Sequence, residues 1–73
     1  MKCKYTLIID DVIVKTSNSI KTLKAEADYY FQHLQAFDAQ IINGSMLYCI
    51  KNCNNTKWFR LSRKIDMNKY NTI

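Results

Sequence analysis

The sequence predicts an α+β fold: an antiparallel sheet of about four to five strands, in the order ββαβββ, packed on one amphipathic helix. Three observations predict it. Segments rich in β-branched residues flank short turn signals, one stretch carries apolar residues at helical spacing, and the links between strands are too short for parallel crossovers. Because such a sheet must bury an apolar face, we expect the helix to cover it in a two-layer architecture.

The first two strands are predicted at residues 4–9 and 12–16, joined by Asp10-Asp11. Aspartates tolerate the backbone of a tight reversal, so a turn explains this pair better than a catalytic or metal-binding pair of carboxylates. A two-residue loop pairs Leu7 with Val14 on the packed face. The other face, which includes Ile8, is expected to be mostly solvated.

The only strongly helical stretch is predicted from about Ser19 to about Gln35. The cluster Thr16-Ser17-Asn18-Ser19 supplies residues that cap helix N-termini. Apolar side chains then recur on one side of the predicted helix, at Ile20, Leu23, Ala27, Tyr30, Phe31 and Leu34. The opposite side is polar, with Lys21, Lys24, Asp28, Gln32 and Gln35.

Three further strands are predicted after the helix. Asn43-Gly44 indicates a type I′ hairpin between residues 39–42 and 45–50, and Gly44 is the only glycine of the chain. Asparagines at residues 52–55 predict a second turn, after which residues 57–62 read as a strand. The tail from Arg63 to Ile73 has no clear period and is predicted as a short extra element or a frayed end.

Length and composition predict a single soluble domain over residues 1–73. Hydrophobic residues make up 48% of the chain, enough for one thin core. No apolar run is long enough to cross a bilayer, and no signal-peptide pattern follows the first residues, so we expect a cytoplasmic location in a host cell and no membrane partner. A chain this short often gains stability from self-association or partner binding, so the sequence is compatible with a homodimer.

The candidate reactive residues have structural explanations, and we expect no catalytic residues, no metal and no cofactor. The three cysteines are an odd number, which argues against a disulfide scaffold, and their spacing does not fit a zinc site with His33. His33 lies near the end of the predicted helix, where the helix dipole favours it. The sequence offers no nucleophile with a recognisable base, so we expect a protein that is not an enzyme.

Positive charge is the main functional signal. The net charge is +5 and the isoelectric point is near 9.2, which favours acidic partners although solubility also explains it. If Phe59 and Leu61 pack under the helix, strand alternation places Trp58 and Arg60 on the open face as a platform for nucleic acid or an acidic protein groove. The alternative, that Trp58 belongs to the core, is equally compatible with the sequence.

The segment from Phe37 to Leu61 resembles the second half of certain small phage-encoded anti-CRISPR proteins. The resemblance rests on residues 39–48 (AQIINGSMLY), on Lys51 and Lys57-Trp58, and on the order of elements with a serine-rich entry into the helix. It implies a non-catalytic phage inhibitor that docks a basic surface on a CRISPR effector complex and blocks nucleic-acid binding. The partner-binding residues would be Lys21, Lys24, Lys57, Trp58, Arg60 and Arg63. The alternative is a small basic nucleic-acid-binding or regulatory module.

Overall fold

The computed structural model describes residues 3–72, with the side chains of residues 71 and 72 left out of the description. Its elements are β1 (Tyr5–Ile9), β2 (Val12–Ser17), α1 (Ile20–His33), β3 (Asp38–Asn43), β4 (Met46–Asn52), β5 (Phe59–Lys64), a short 3-10 helix (Met67–Lys69) and β6 (Asn71–Thr72). The predicted α+β class and the ββαβββ order are confirmed by the first six of these elements.

The strands form one sheet in the order β5-β4-β3-β1-β2-β6. The first five strands pair antiparallel, as the short connections predicted, and β6 adds two residues parallel to β2. The tail is therefore the predicted short extra element. Within residues 3–72 no helix has the length and apolar content needed to cross a bilayer.

The helix packs on β1, β2 and β3. Ser19 caps it, since its hydroxyl accepts a hydrogen bond from the Thr22 amide at 3.3 Å. Leu23 and Ala27 are buried against the sheet, whereas Leu34 is 56% exposed. The expectation that Leu34 shares the apolar side is wrong because α1 ends at His33 and the chain then turns away through Gln35, whose φ is +53°.

The main core lies between α1 and the face of the sheet that we call the helix side. It contains eight buried residues, namely Leu7, Ile9, Leu23, Ala27, Ala36, Ala39, Ile41 and Cys49. Tyr30 and Phe31 pack against its margin. The predicted apolar face of the helix thus meets the predicted apolar face of the first strand.

A second core covers the opposite face, which we call the tail side because residues 65–70 lie on it. Ile8, Ile42 and Leu47 are buried there together with Tyr70. The expectation that this face is mostly solvated is wrong. The tail supplies the apolar cover, and the Tyr70 hydroxyl donates a hydrogen bond to Gln40 Oε1 at 2.8 Å.

Two β-bulges shift the register of the sheet. In β2 the extra residue is Val14, so Leu7 pairs with Lys15 rather than with Val14 as predicted. The bulge places Lys15 on the helix side, where its amine forms an ion pair with Glu26 at 3.2 Å. In β4 the extra residue is Tyr48, between the paired residues Leu47 and Cys49.

The two tight turns differ from each other. Asp10 and Asp11 have φ angles of +48° and +67°, so the predicted two-residue loop is confirmed. The second loop consists of Gly44 and Ser45, because Asn43 still pairs with Met46. The predicted Asn43-Gly44 loop is therefore one residue early: Gly44, with a φ of +64°, takes the first loop position, where a type II′ turn needs glycine.

Candidate functional site

Strand β5 carries the predicted basic site, but its faces are inverted relative to the expectation. It spans Phe59–Lys64 rather than residues 57–62, and Phe59 and Leu61 are 50% and 42% exposed. The expectation that these two residues pack under the helix is wrong because the register with β4 turns Phe59 and Leu61 to the face of the sheet opposite the helix. Arg60 pairs with Cys49 of the helix-side core, so Arg60 is the residue on the helix side.

Trp58 is neither fully core nor fully surface. It is half-buried and packs against the margin of the helix-side core, one residue before β5 begins. The Lys24 amine lies 5.8 Å from the centre of its ring, within the range of a cation–π interaction. The helix and the sheet edge thus meet at this pair.

A second cation–aromatic pair lies beside the first. The Arg60 guanidinium is 5.5 Å from the centre of the Tyr48 ring, and that ring is 5.6 Å from the ring of Tyr5. The bulge in β4 makes this possible, because it turns Tyr48 to the same face as Cys49. We call Lys24, Tyr48, Trp58 and Arg60 the cation–aromatic surface.

The two cations of this surface lie around the same buried thiol. Burial raises the pKa of Cys49, and the charges of Lys24 and Arg60 act in the opposite direction. Within residues 3–72 the ion pairs are Lys15 with Glu26 and Lys51 with Asp28, so neither Lys24 nor Arg60 is neutralised by a carboxylate. Their charges are available to an external anion.

The other predicted binding residues lie apart from this surface. Lys21 is exposed on α1 and Lys57 is exposed in the loop before β5. Arg63 pairs with the buried Leu47 of the tail-side core, so it lies on the opposite face of the sheet from Arg60. The structure therefore brings together Lys24, Trp58 and Arg60 of the six predicted residues.

Two open grooves flank the last strands. One, of about 360 Å³, runs beside Tyr48 and Arg60 and is lined by Asn43, Met46, Leu47, Tyr48, Arg60, Leu61 and Ser62. The other, of about 340 Å³, is lined by Phe31, Lys51, Asn52, Cys53, Asn55 and Thr56. In the second groove the Lys51 amine is held by Asp28 at 2.9 Å, so its charge is already compensated.

Besides forming the predicted turn, Asp10 makes side-chain hydrogen bonds that the sequence did not indicate. Its carboxylate accepts hydrogen bonds from the backbone amides of Phe37 and Asp38 at 3.0 and 2.9 Å, and its own amide donates to the Asp38 carbonyl. The first hairpin is thereby tied to the start of β3. Burial and the carboxylates of Asp10 and Asp11 raise the pKa of Asp38, against a hydrogen bond from Gln40.

Metal-binding chemistry does not assemble in the part of the chain that the structure describes. No group of three or more histidine, cysteine or acidic side chains converges there. Cys3 and Cys53 are exposed free thiols, and Cys49 is a buried one. Comparison of the chain with protein-family models, with curated proteins and with solved structures finds no match.

Proposed function

We propose that this chain is a non-catalytic binding protein of a phage or mobile element that inhibits a bacterial defence complex. In this proposal it docks the cation–aromatic surface on a CRISPR-type effector and blocks the binding of nucleic acid. The observation that supports it is the pairing of two uncompensated cations with two partly buried aromatic rings at one margin of the sheet. The resemblance to small anti-CRISPR proteins supplies the class of target.

The chemistry of this surface suits a competitor of nucleic acid. The anions that such a complex offers are the phosphates of its RNA–DNA duplex and the carboxylates of its protein surface. Lys24 and Arg60 can pair with either kind of anion, and the rings of Tyr48 and Trp58 add apolar contact that does not weaken with salt. Aromatic residues and arginine are also the side chains that most often dominate protein interfaces.

The test is binding of target DNA by a panel of purified CRISPR effector complexes of different types, with and without the chain. We expect the wild-type chain to lower DNA binding by at least one of them. Arg60→Ala and Lys24→Ala should each raise the concentration needed for half inhibition by about ten-fold, the scale of a central interface residue. Lys69→Ala is the matched control. It removes one positive charge, as the other two substitutions do, but from the 3-10 helix of the tail and not from the cation–aromatic surface.

Inhibition that Arg60→Ala and Lys24→Ala leave unchanged would show that another surface docks. Absence of inhibition across the panel would contradict the proposed function. Circular dichroism of each variant checks that the fold persists, which we expect because Arg60 is exposed and Lys24 is partly so.

A second candidate function, a small nucleic-acid-binding module, is favoured by the same aromatic rings. Bases stack on exposed aromatic side chains, and flanking cations bind the phosphates. Titration with single-stranded and duplex DNA at several salt concentrations separates the two functions. Affinity that falls steeply with salt and is lost in Arg60→Ala supports this module, whereas inhibition of an effector without DNA binding by the chain itself supports the first proposal.

A further inference from the structure

Strand β5 forms an open edge of the sheet. Within residues 3–72 it pairs with β4 alone, and all six of its residues are exposed. At the other edge, the two residues of β6 pair with Val12 and Ile13, the first two residues of β2. An edge strand presents unpaired amides and carbonyls in a row, to which an extended peptide can add as a further strand.

The side chains along this edge alternate in a definite pattern. Arg60 lies on the helix side by its pairing with Cys49, and Arg63 lies on the tail side by its pairing with Leu47. Alternation then places Phe59 and Leu61 on the tail side, where both remain substantially exposed. Each face of β5 therefore offers cations, and the tail side adds two apolar side chains.

The charge of the edge distinguishes between possible occupants. Residues directly opposite each other in an antiparallel pair share a face, so two β5 strands paired about Ser62 would set Arg60 of one copy opposite Lys64 of the other. Like charges directly opposite each other in a sheet are destabilising, so a second copy of this chain is a poor occupant. Neither Arg60 nor Lys64 takes part in the two ion pairs of the described residues, so both can meet carboxylates of a partner strand.

We propose that the β5 edge binds an extended acidic segment of a partner protein, which adds to the sheet as a further strand. The segment would alternate acidic and apolar side chains. Its carboxylates would lie on the helix side, where they meet Arg60 and Lys64, and its apolar side chains would cover Phe59 and Leu61 on the tail side. This inference deepens the proposed function, on which it rests, by naming the chemistry of the segment that the effector contributes.

The probe is a short synthetic peptide that alternates glutamate with valine. We expect it to bind the wild-type chain and to slow hydrogen exchange of β5 amides that point away from β4. A peptide of the same composition with every amide N-methylated should not bind, because it cannot donate backbone hydrogen bonds. A peptide that alternates lysine with valine should not bind either.

Charge reversal locates the site. Lys64→Glu should weaken binding of the glutamate–valine peptide by about ten-fold, since it replaces an attractive cross-strand pair on the helix side by a repulsive one. Lys69→Glu makes the same change of charge in the tail and should alter the affinity by less than about two-fold. Lys64 is not one of the four residues of the cation–aromatic surface, so the Lys64→Glu variant leaves that surface in place.

Several results would overturn the proposal. Equal binding of the N-methylated peptide, or unchanged exchange of the β5 amides, would show that the contact is not strand addition. Protection of those amides by self-association of the chain alone would make a second copy the occupant. If the peptide fails to bind while the chain still inhibits an effector, the inference about the β5 edge fails and the proposed function stands. If the peptide binds but the chain inhibits no effector, the proposed function fails and the inference about the β5 edge stands.

Discussion

At the scale of single residues, Asp10 is the clearest case of a side chain whose role is local stability. Its carboxylate accepts hydrogen bonds from the amides of Phe37 and Asp38, and its φ of +48° is one that glycine adopts freely. Asp10→Gly should therefore lower the free energy of unfolding by about 2 kcal/mol, the scale of hydrogen bonds to a charged group. Urea unfolding monitored by circular dichroism measures the change.

Asp11→Gly is the matched control for that substitution. Asp11 also has a positive φ, of +67°, and within residues 3–72 its side chain makes no hydrogen bond. We expect its replacement to change the free energy of unfolding by less than about 0.5 kcal/mol. Equal losses in the two variants would show that the turn backbone, and not the carboxylate of Asp10, is what matters.

Asp38 should make stability depend on pH. Burial and the nearby Asp10 and Asp11 raise its pKa, so the folded state holds the proton more tightly than the unfolded chain. The stability contributed by this group is full below its ordinary pKa and is lost as the pH rises through the raised value. As the pH rises from the ordinary pKa of Asp38 to its raised value, the free energy of unfolding of the wild-type chain should therefore fall relative to that of Asp38→Asn. Above the raised value, the difference between the two chains should stay constant.

The measurement is urea unfolding of both chains at a series of pH values. A difference between wild type and Asp38→Asn that does not vary with pH would contradict the shift. NMR titration of Asp38 in an Asp11→Asn variant is an independent check. Because Asp11 contributes to raising the pKa of Asp38, that pKa should fall when Asp11 loses its charge.

At the scale of elements, periodicity and turn residues predicted which segments form strands and helix but not where the faces switch. The bulges at Val14 and Tyr48 each insert one residue and turn the following side chains over. Alternation read from the sequence assumes no insertion, so it could not place Lys15 or Tyr48 on the helix side. For β5, the missing information was its register with β4, which turns Arg60 and not Phe59 to the helix side.

The tail is the element about which the sequence said least, because its residues have no period. Its contacts are tertiary: Ile65, Met67 and Tyr70 each pack separately against the tail-side core. A 3-10 turn capped by Asp66 then places Tyr70 over Gln40. Such spaced contacts leave no helical or strand pattern in the sequence, yet they bury Ile8, Ile42 and Leu47 on the tail side of the sheet.

Substitution of Tyr70 tests this role. Tyr70→Ala removes a buried ring and should lower the free energy of unfolding by about 3 kcal/mol, the scale for an aromatic residue in a core. Tyr70→Phe keeps the ring and loses only the hydrogen bond to Gln40, so a loss of about 1 kcal/mol is expected. Thermal and urea unfolding give both values. A tail that frays in solution would make both losses negligible.

At the scale of the whole molecule, charge is segregated across the sheet. Asp10, Asp11 and Asp38 gather where β1 ends and β3 begins, and burial together with the repulsion of Asp10 and Asp11 raises the pKa of Asp38. Arg60, Arg63 and Lys64 gather on β5, at the open edge. A basic edge of this kind both attracts acidic partners and keeps like edges from pairing.

Because the cations of β5 keep like edges from pairing, their removal should promote self-association. Arg63→Thr combined with Lys64→Thr leaves an uncharged end of β5 beside the exposed Phe59 and Leu61, and threonine favours strands. We expect this double variant to self-associate as its concentration rises, in sedimentation velocity, while the wild-type chain stays monomeric. The control, Lys21→Thr with Lys69→Thr, removes the same charge outside the strands and should remain monomeric. A wild-type chain that already dimerises through β5, or association of both double variants alike, would show that the cations do not protect this edge.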